Sequence, residues 1–258
     1  MANTIEYGQG AVNNTIGWGQ GAKVGGSSFS NTLSTRFDGV DDFVDCGDAD
    51  NLSFGNGSTD SPFSISAWIK MDSAVRFRIC SKDNTSKREY LLSTSGGNQL
   101  LLNLFSQNGT NRIGRMTGSI SSAVGAWTHV CATYDGSGAA SGIKLYVNAT
   151  QSDISDNNSG SYVAMQNNTA SFKIGTDLSH YADGSIDEVS VFNSELSASD
   201  VTAIYGSGVP TSLSSYSSLV SWWRCGDGDS APTLLDNGSA SNNGTMTNFT
   251  TFSTDVPT

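Results

Sequence analysis

Hydrophobic and polar residues alternate along several short stretches of this chain. In residues 63–70, apolar side chains occupy the odd-numbered positions, and two serines, Trp68 and Lys70 occupy the even-numbered ones. Residues 143–147 alternate in the same way. A period of two is typical of a strand with one buried face. Shorter stretches of strand-like sequence lie at residues 90–92, 100–105, 128–134, 171–175 and 186–192.

Turn-forming residues separate these stretches. Glycine adjoins asparagine or aspartate at residues 56–57, 96–98, 108–109, 135–138 and 183–184. Such pairs favour tight connections between antiparallel strands. Many short strands at this spacing predict an all-β protein in which two antiparallel sheets pack face to face.

One short helix is predicted after the last of these strands. Ser197 and Asp200 have the spacing of a capping box, in which the serine hydroxyl accepts from a first-turn amide and the acidic side chain reaches back. The helix is expected to run to about Tyr205 and to end at the glycines of 206–208.

The composition supports a β-rich fold and excludes some partners. The 258 residues include 29 glycines, and only 14% are charged, which suits short strands joined by polar loops. The formal net charge of −11 argues against binding to nucleic acid, because lysine and arginine are needed to neutralise phosphates. No apolar run reaches the roughly eighteen residues of a membrane helix, and the N-terminus lacks the pattern of a signal peptide. Neither membrane insertion nor export is expected.

Four segments of the chain carry a family resemblance. Residues 36–46 contain Arg-Phe-Asp-Gly-Val-Asp-Asp-Phe-Val-Asp-Cys, and residues 184–192 contain Gly-Ser-Ile-Asp-Glu-Val-Ser-Val-Phe. Between them lie residues 63–70 and the Trp-Thr-His-Val-Cys-Ala-Thr-Tyr-Asp-Gly sequence of 127–136. In this order the segments resemble the laminin G-like branch of the concanavalin A-like lectin and glucanase superfamily. The resemblance covers roughly residues 33–210 and implies a jelly-roll sandwich, but no single ligand, since these families bind sugars, proteins and lipids.

A glycine-rich arm, residues 1–32, precedes the domain at 33–210. In this arm residues 5–11 recur eleven residues later as 16–22, with five of seven positions identical. Tyr7 and Trp18 occupy the same place in the two units, and an aromatic side chain supplies contact area at low entropic cost. The arm is therefore predicted to dock on a partner through these residues, the alternative being an inert tail.

A C-terminal extension, residues 211–258, follows the domain. It contains the adjacent Trp222 and Trp223 within a strand-like stretch, but it is too short for a second sandwich. The two indoles need cover, and the extension is expected to pack on this domain or on a neighbouring subunit. A strand donated between copies would make the protein a homo-oligomer.

Acidic residues suggest a metal site. Asp38, Asp41 and Asp42 surround Gly39 and could supply the oxygen ligands that calcium prefers. The resemblance to laminin G and pentraxin domains implies calcium at the sandwich rim, with Asp41 and Asp42 as candidate ligands together with Asp187. The alternative is a structural role for these aspartates in a turn and in capping backbone amides. The scattered cysteines make zinc a weaker alternative.

The acidic residues of segment 184–192 also bear on catalysis. Glucanases of the superfamily use carboxylates at alternate positions of one strand, about 5 Å apart. Asp187 and Glu188 are adjacent and are expected to point to opposite faces of a regular strand. A glycosidase is therefore disfavoured, and neither His129 nor His180 has the sequence context of a catalytic triad.

Carbohydrate binding would need exposed aromatic side chains. Trp68 and Tyr146 fall on the polar faces of their strands and are candidates for stacking on a sugar ring. Trp68 also recurs in the family pattern as part of the strand framework, which is the competing interpretation.

The repeat followed by a laminin G-like domain resembles structural proteins of tailed bacteriophages. This resemblance implies a non-enzymatic virion protein, a decoration, tail or fibre component that is assembled in the host cytoplasm. The arm would contact other virion proteins, and the domain could adhere to host surface glycans. A stand-alone carbohydrate-binding module is the alternative, and a glucanase-type hydrolase is the disfavoured third.

Overall fold

A computed structural model describes residues 29–84, 87–106 and 110–258. The described residues form seventeen strands, numbered here in chain order, in two antiparallel sheets, with one α-helix. Short 3-10 turns occur at Asp50–Leu52, Ser121–Ala123, Ala140–Gly142 and Gly206–Gly208. In the described part of the chain, no helix has the length and apolar character needed to cross a membrane.

The first sheet has eight strands. They are β1 (Ser34–Asp38), β3 (Phe63–Met71), β8 (Thr128–Tyr134), β9 (Ile143–Val147), β10 (Thr150–Gln151), β13 (Asp183–Phe192), β14 (Leu219–Trp223) and β17 (Phe252–Ser253). Their order is β10-β9-β8-β3-β13-β1-β17. β1 pairs with the first half of β13, and β14 pairs with its second half.

The second sheet has nine strands. They are β2 (Phe43–Asp45), β4 (Arg78–Asp83), β5 (Arg88–Thr94), β6 (Gln99–Phe105), β7 (Arg112–Ser119), β11 (Asp153–Asp156), β12 (Phe172–Ile174), β15 (Thr233–Leu234) and β16 (Gly244–Thr247). Their order is β11-β7-β6-β5-β4-β12-β2-β16-β15. Strands β4 to β7 therefore form consecutive antiparallel hairpins, which brings residues from 78 to 119 onto one surface.

The hydrophobic core lies between the sheets. The odd-numbered residues of β3, from Phe63 to Met71, all belong to one buried cluster with residues of the nine-stranded sheet such as Leu92 and Phe172. The predicted alternation along residues 63–70 is confirmed. So is the fold class, an all-β sandwich of two antiparallel sheets with one short helix.

The helix α1 (Ala198–Tyr205) has the predicted capping box. The Asp200 amide donates to Ser197 Oγ, and the Ser197 amide donates to the Asp200 carboxylate at 3.0 Å. The helix ends at Gly206, whose φ of 60° lies in the left-handed region that glycine tolerates. Val201 and Ile204 of α1 join a second buried cluster on the outer face of the eight-stranded sheet.

The C-terminal extension contributes strands to both sheets of its own chain. β14 and β17 belong to the eight-stranded sheet, and β15 and β16 belong to the nine-stranded sheet. Trp223 is 0% exposed in the core, and Trp222 is 5% exposed in the second cluster. Of the two arrangements expected for the extension, packing on its own domain or docking on a neighbouring subunit, the structure has the first for both indoles, because β14 completes the edge of β13 that β1 leaves open.

Candidate functional site

A groove lies on the face of the nine-stranded sheet that is turned away from the core. Leu92, Leu100 and Leu102 point into the core, whereas the alternate residues Leu91 and Leu101 do not belong to the core cluster. Together with Phe105 they form an apolar floor. Two adjoining hollows of about 270 and 260 Å³ lie above this surface.

Arginines surround the floor. Four of the seven arginines of this acidic chain line the two hollows, and three of the four line both. These four residues are Arg76, Arg78, Arg88 and Arg112. The carboxylates lining the same hollows are those of Asp83 and Asp177, so positive charge exceeds negative charge in the groove.

A β-bulge directs Arg78 into the groove. The pairing of β4 with β5 shifts between Arg78 and Cys80, and Ile79 and Cys80 are both in the core. The Arg78 Nε donates to the Asp177 carboxylate at 2.7 Å, and its Nη2 donates to His180 Nδ1 at 3.0 Å. Asp177 is itself fixed, because its carboxylate accepts the amides of Ser179 and His180.

Arg88 is held in a fixed plane over the floor. Its guanidinium lies 3.9 Å from the centroid of the Phe105 ring. Its Nε donates to the Asp83 carboxylate at 2.6 Å. Stacking and a charge-assisted hydrogen bond together restrict the rotamers of this long side chain.

Arg76 and Arg112 differ from the other two arginines. Arg112 donates to the carbonyl and the side-chain oxygen of Asn157, which are neutral. Arg76 is exposed at the rim. Within the described ranges, neither side chain forms an ion pair with a carboxylate. The positive charges of Arg76 and Arg112 are therefore not neutralised by a described carboxylate.

Uncharged polar side chains also line the groove, among them Ser93 and Asn103. Ser93 is 1% exposed, and its hydroxyl has no hydrogen-bond partner among the described residues. Since a buried hydroxyl without a partner is costly, a ligand in the groove could satisfy it. Asn103 accepts from Asn157 at 2.9 Å. Gly114 makes room for Asn103, because a Cβ at Gly114 would lie 2.2 Å from its oxygen.

The acidic turn after β1 brings together three of the predicted metal-site residues. Carboxylate oxygens of Asp38, Asp41 and Asp42 lie within 4.8 Å of one another. Burial raises the pKa of Asp42, and the charges of Asp38 and Asp41 raise it further. Asp38 also accepts the amides of Val40 and Asp41, as expected for a structural turn.

Asp187 lies apart from this turn. In the β1–β13 pairing Asp38 is opposite Asp183, and Asp187 is four residues further along β13, about 13 Å away. The structure thus brings Asp41 and Asp42 together but does not bring Asp187 to them.

Asp187 and Glu188 lie at a bulge, which contradicts the regular strand expected there. The pairing with β3 shifts between Asp187 and Ser190, and Glu188 has a φ of 50°. Ile186 and Val189 both belong to the core cluster, whereas Asp187 is opposite Trp68, which packs on α1, and Glu188 accepts from Trp222 of the second buried cluster. The prediction that the two carboxylates point to opposite faces is wrong because the bulge interrupts the alternation.

Both carboxylates are buried and engaged by the protein. Asp187 accepts from Asn31 Nδ2 and from the Glu188 amide, at 2.9 and 2.8 Å. Glu188 accepts from the indole of Trp222 at 2.5 Å and from Arg224 Nε at 3.2 Å. Burial raises the pKa of Glu188 to about 7, although Arg224 and Trp222 lower it. Both carboxylates are thus committed to hydrogen bonds with other residues of the chain.

A family comparison agrees with this architecture. The model of the concanavalin A-like lectin/glucanases superfamily, laminin G type, matches residues 38–202. The chain belongs to this superfamily. Among curated proteins, none matches the sequence at a significant level.

Several solved structures resemble the chain at low sequence identity. A Bacteroides ovatus protein described as a candidate carbohydrate-binding protein is 17% identical, with a TM-score of 0.57. The alignment covers 89% of this chain and 62% of that one. The heptameric pentraxin of Limulus polyphemus is 16% identical, with a TM-score of 0.41, and the alignment covers 64% of this chain and 82% of that one. The carbohydrate-binding module of a Ruminococcus gnavus sialidase is 13% identical, with a TM-score of 0.47, and the alignment covers 67% of this chain and 96% of that one.

The aromatic residues expected to stack on a sugar are covered in this superfamily member. Trp68 is 3% exposed, because Tyr205 of α1 stacks on it with ring centroids 5.7 Å apart. Tyr146 is 3% exposed within the second buried cluster. Neither ring is available to a ligand, so the prediction of Trp68 and Tyr146 as sugar-binding residues is wrong. Tyr7 and Trp18 lie outside the described residues.

Sequence reasoning missed the groove. The mixture of basic and polar residues at 82–88 is typical of a solvated hairpin loop, yet Lys82 is fully buried and Arg88 lines the groove. One signal was present: Arg76 and Arg78 alternate with the apolar Phe77 and Ile79, as on a strand with a charged outer face.

Proposed function

We propose that this protein is a non-enzymatic, lectin-like carbohydrate-binding protein and that the arginine-lined groove is its glycan site. The observation that supports the proposal is the combination of an apolar floor, formed by Leu91 and Leu101, with a ring of hydrogen-bonding side chains. Sugars present apolar C–H faces and hydroxyl edges, and binding sites combine apolar walls with a few fixed polar groups. The lectin-like fold agrees with this function.

The state of the carboxylates supports a binding role over hydrolysis. A retaining or inverting glycosidase needs two carboxyl groups that face the substrate across an open cleft. Asp187 and Glu188 are the adjacent acidic pair of the motif, and both are committed to buried hydrogen bonds. In the groove, Asp177 is bound to Arg78 and Asp83 to Arg88.

Filling the groove should abolish glycan binding. A Cβ at Gly96 would meet only Arg76 Nε among the described atoms, at 4.0 Å, and the backbone there is not left-handed. Gly96→Trp is therefore expected to fold normally and to occupy the hollow. The measurement is a glycan array probed with the full chain and with this variant, on which the wild-type signals should disappear.

Gly118→Trp is the matched control, because a Cβ at Gly118 meets nothing within 4 Å and the residue does not line the groove. This variant should keep the wild-type signals. Equal signals from both variants would show that any glycan binds elsewhere, and release of reducing sugar from an array ligand would contradict the non-enzymatic role.

A calcium ion at the turn of Asp38, Asp41 and Asp42 is a separate proposal. Three carboxylates within 4.8 Å form a hard-oxygen donor set that fits calcium. A ligand that binds only the folded state at 100 times its Kd adds about 2.7 kcal/mol of stability. Calcium should therefore raise the melting temperature of the wild type and of an Asp50→Asn control, but not that of Asp41→Asn. A wild-type melting temperature that is identical in calcium and in chelator would overturn the proposed calcium site.

A structural role in a tailed-bacteriophage virion is a second candidate function. The observation that favours it is the repeat of residues 5–11 at 16–22, with aromatic residues at matching positions. The arm would attach the lectin-like domain to a particle as an oligomeric component. Immunogold labelling of purified particles should show many copies of the full chain and none of a variant that lacks residues 1–26. Labelling that survives this deletion would argue against the arm as the anchor.

A further inference from the structure

We propose that the groove selects anionic glycans, whose carboxylate or sulfate groups bind Arg76 and Arg112. This inference rests on the proposed glycan-binding function and adds the chemical class of the ligand. It follows from the charge of the groove, from the arrangement of its arginines and from the size of its hollows.

The placement of positive charge is the first observation. The chain carries a formal charge of −11, yet four of its seven arginines line one groove. A cleft lined by one sign of charge concentrates the field and attracts ligands of the opposite sign. A neutral sugar would gain little from this arrangement, since hydroxyl groups can be bound by uncharged side chains.

The second observation is that two of the four arginines are paired with aspartates and two are not. Asp177 and Asp83 orient Arg78 and Arg88, and each of these pairs is close to neutral. Arg112 is oriented by the neutral oxygens of Asn157. Arg76 and Arg112 thus keep their full charge with respect to the described carboxylates. A guanidinium binds a planar carboxylate or a sulfate through two parallel hydrogen bonds, which gives these two residues the geometry to select an oxyanion.

The buried Ser93 hydroxyl gives a third, independent indication of a ligand. It is 1% exposed, lines the same hollow and has no partner among the described residues. The larger hollow, of about 270 Å³, is near the lower limit of ligand pockets. A short acidic oligosaccharide therefore fits better than an extended polyanion such as nucleic acid, which needs a long track of basic residues.

Titration calorimetry on the full chain tests the inference. The probes are trigalacturonate, its fully methyl-esterified form, and a sulfated disaccharide with its desulfated counterpart. Each pair differs in charge while keeping the same sugar rings. The acidic member should bind at least about tenfold more tightly than the neutral one, since hydrogen bonds between charged groups are the stronger ones. The preferred acidic probe identifies the source of the oxyanion, a carboxylate or a sulfate.

Variants assign the effect to named residues. Arg76→Gln and Arg112→Gln should each remove most of the preference for the acidic probe, so that the affinity for this probe falls towards that for its neutral counterpart. Arg36→Gln is the matched control, because Arg36 lies on β1 of the other sheet and pairs with Asp72. This variant should keep the wild-type preference.

The outcomes separate the two levels of the hypothesis. Equal affinity for the acidic and neutral members of each pair would overturn the anionic selectivity and leave the glycan site in place. Absence of binding by every probe, together with an empty glycan array, would overturn both. Equal losses in Arg36→Gln and Arg112→Gln would show a general effect of net charge and would also overturn the inference.

Discussion

Replacing Lys82 with methionine is expected to lower the free energy of unfolding by about 3–5 kcal/mol. The side chain of Lys82 is 0% exposed, and its ammonium group lies 2.7 Å from Asp48 and 3.0 Å from Glu89. It also donates to the carbonyl of Ala170 at 2.9 Å. Since Glu89 is equally buried, the variant would leave its carboxylate without its cation in a medium of low polarity.

Urea denaturation provides the measurement, with Lys144→Met as the matched control. Lys144 pairs with Glu195 at 2.6 Å, but its side chain is 41% exposed, and exposed pairs contribute about 0–1 kcal/mol. The double variant Lys82→Met/Glu89→Gln should recover part of the loss, because the uncompensated charge is gone. Similar losses for Lys82→Met and Lys144→Met would contradict the buried ion pair.

The defect of Lys82→Met should also depend on pH. Burial raises the pKa of Glu89, and Lys82 opposes this effect in the wild type. Without Lys82 the folded protein binds a proton at Glu89 more readily than the unfolded chain does, so its stability falls as pH rises. The loss of stability should therefore be smaller at about pH 5 than at about pH 8, and a loss that is equal at both would contradict this origin.

Trp223→Ala should be comparably destabilising, by about 3–5 kcal/mol. The indole is 0% exposed and stacks on Phe172 with ring centroids 5.1 Å apart. Its Nε1 donates to the carbonyl of Asn242 at 2.8 Å. One side chain thus connects β14, β12 and the loop before β16, and its removal would leave a cavity among strands of both sheets.

Trp127→Ala is the control for this prediction, since Trp127 is only partly buried and its indole donates to Asp255 near the chain's end. Chemical denaturation should show a clearly smaller loss for Trp127→Ala. If Trp223→Ala lowered the free energy of unfolding as little as Trp127→Ala does, the C-terminal extension would not be part of the cooperative fold.

The sequence predicts the elements of this fold better than their arrangement. The period of two in residues 63–70 and the capping box at Ser197 depend on neighbouring residues, and both appear in the structure as expected. The position of β14 beside β13 depends on which edge of a sheet is open, and that information is distributed over the whole chain. A strand could be predicted at Trp222 and Trp223, but the sequence left open whether its own domain or a neighbouring subunit would cover it.

The candidate site could not be located from local patterns for the same reason. Arg76 and Arg112 are separated by thirty-six positions, and only the hairpin pairing of β4 to β7 brings them to one surface. The bulges at Arg78 and at Asp187 could not be predicted from the sequence either. At the second bulge the residue with a left-handed backbone is Glu188, and not the glycine that would usually indicate such a conformation. Trp68 was misassigned because the alternation shows which face a residue occupies, but not that α1 covers that face.

The most direct test of the glycan site is a crystal structure of the full chain with trigalacturonate at saturating concentration. The predicted result is a saccharide above Leu91 and Leu101, with its carboxylates bound by Arg76 and Arg112 and a hydroxyl bound by Ser93. A saccharide bound instead at the turn of Asp38–Asp42, or a groove that stays empty at that concentration, would contradict it.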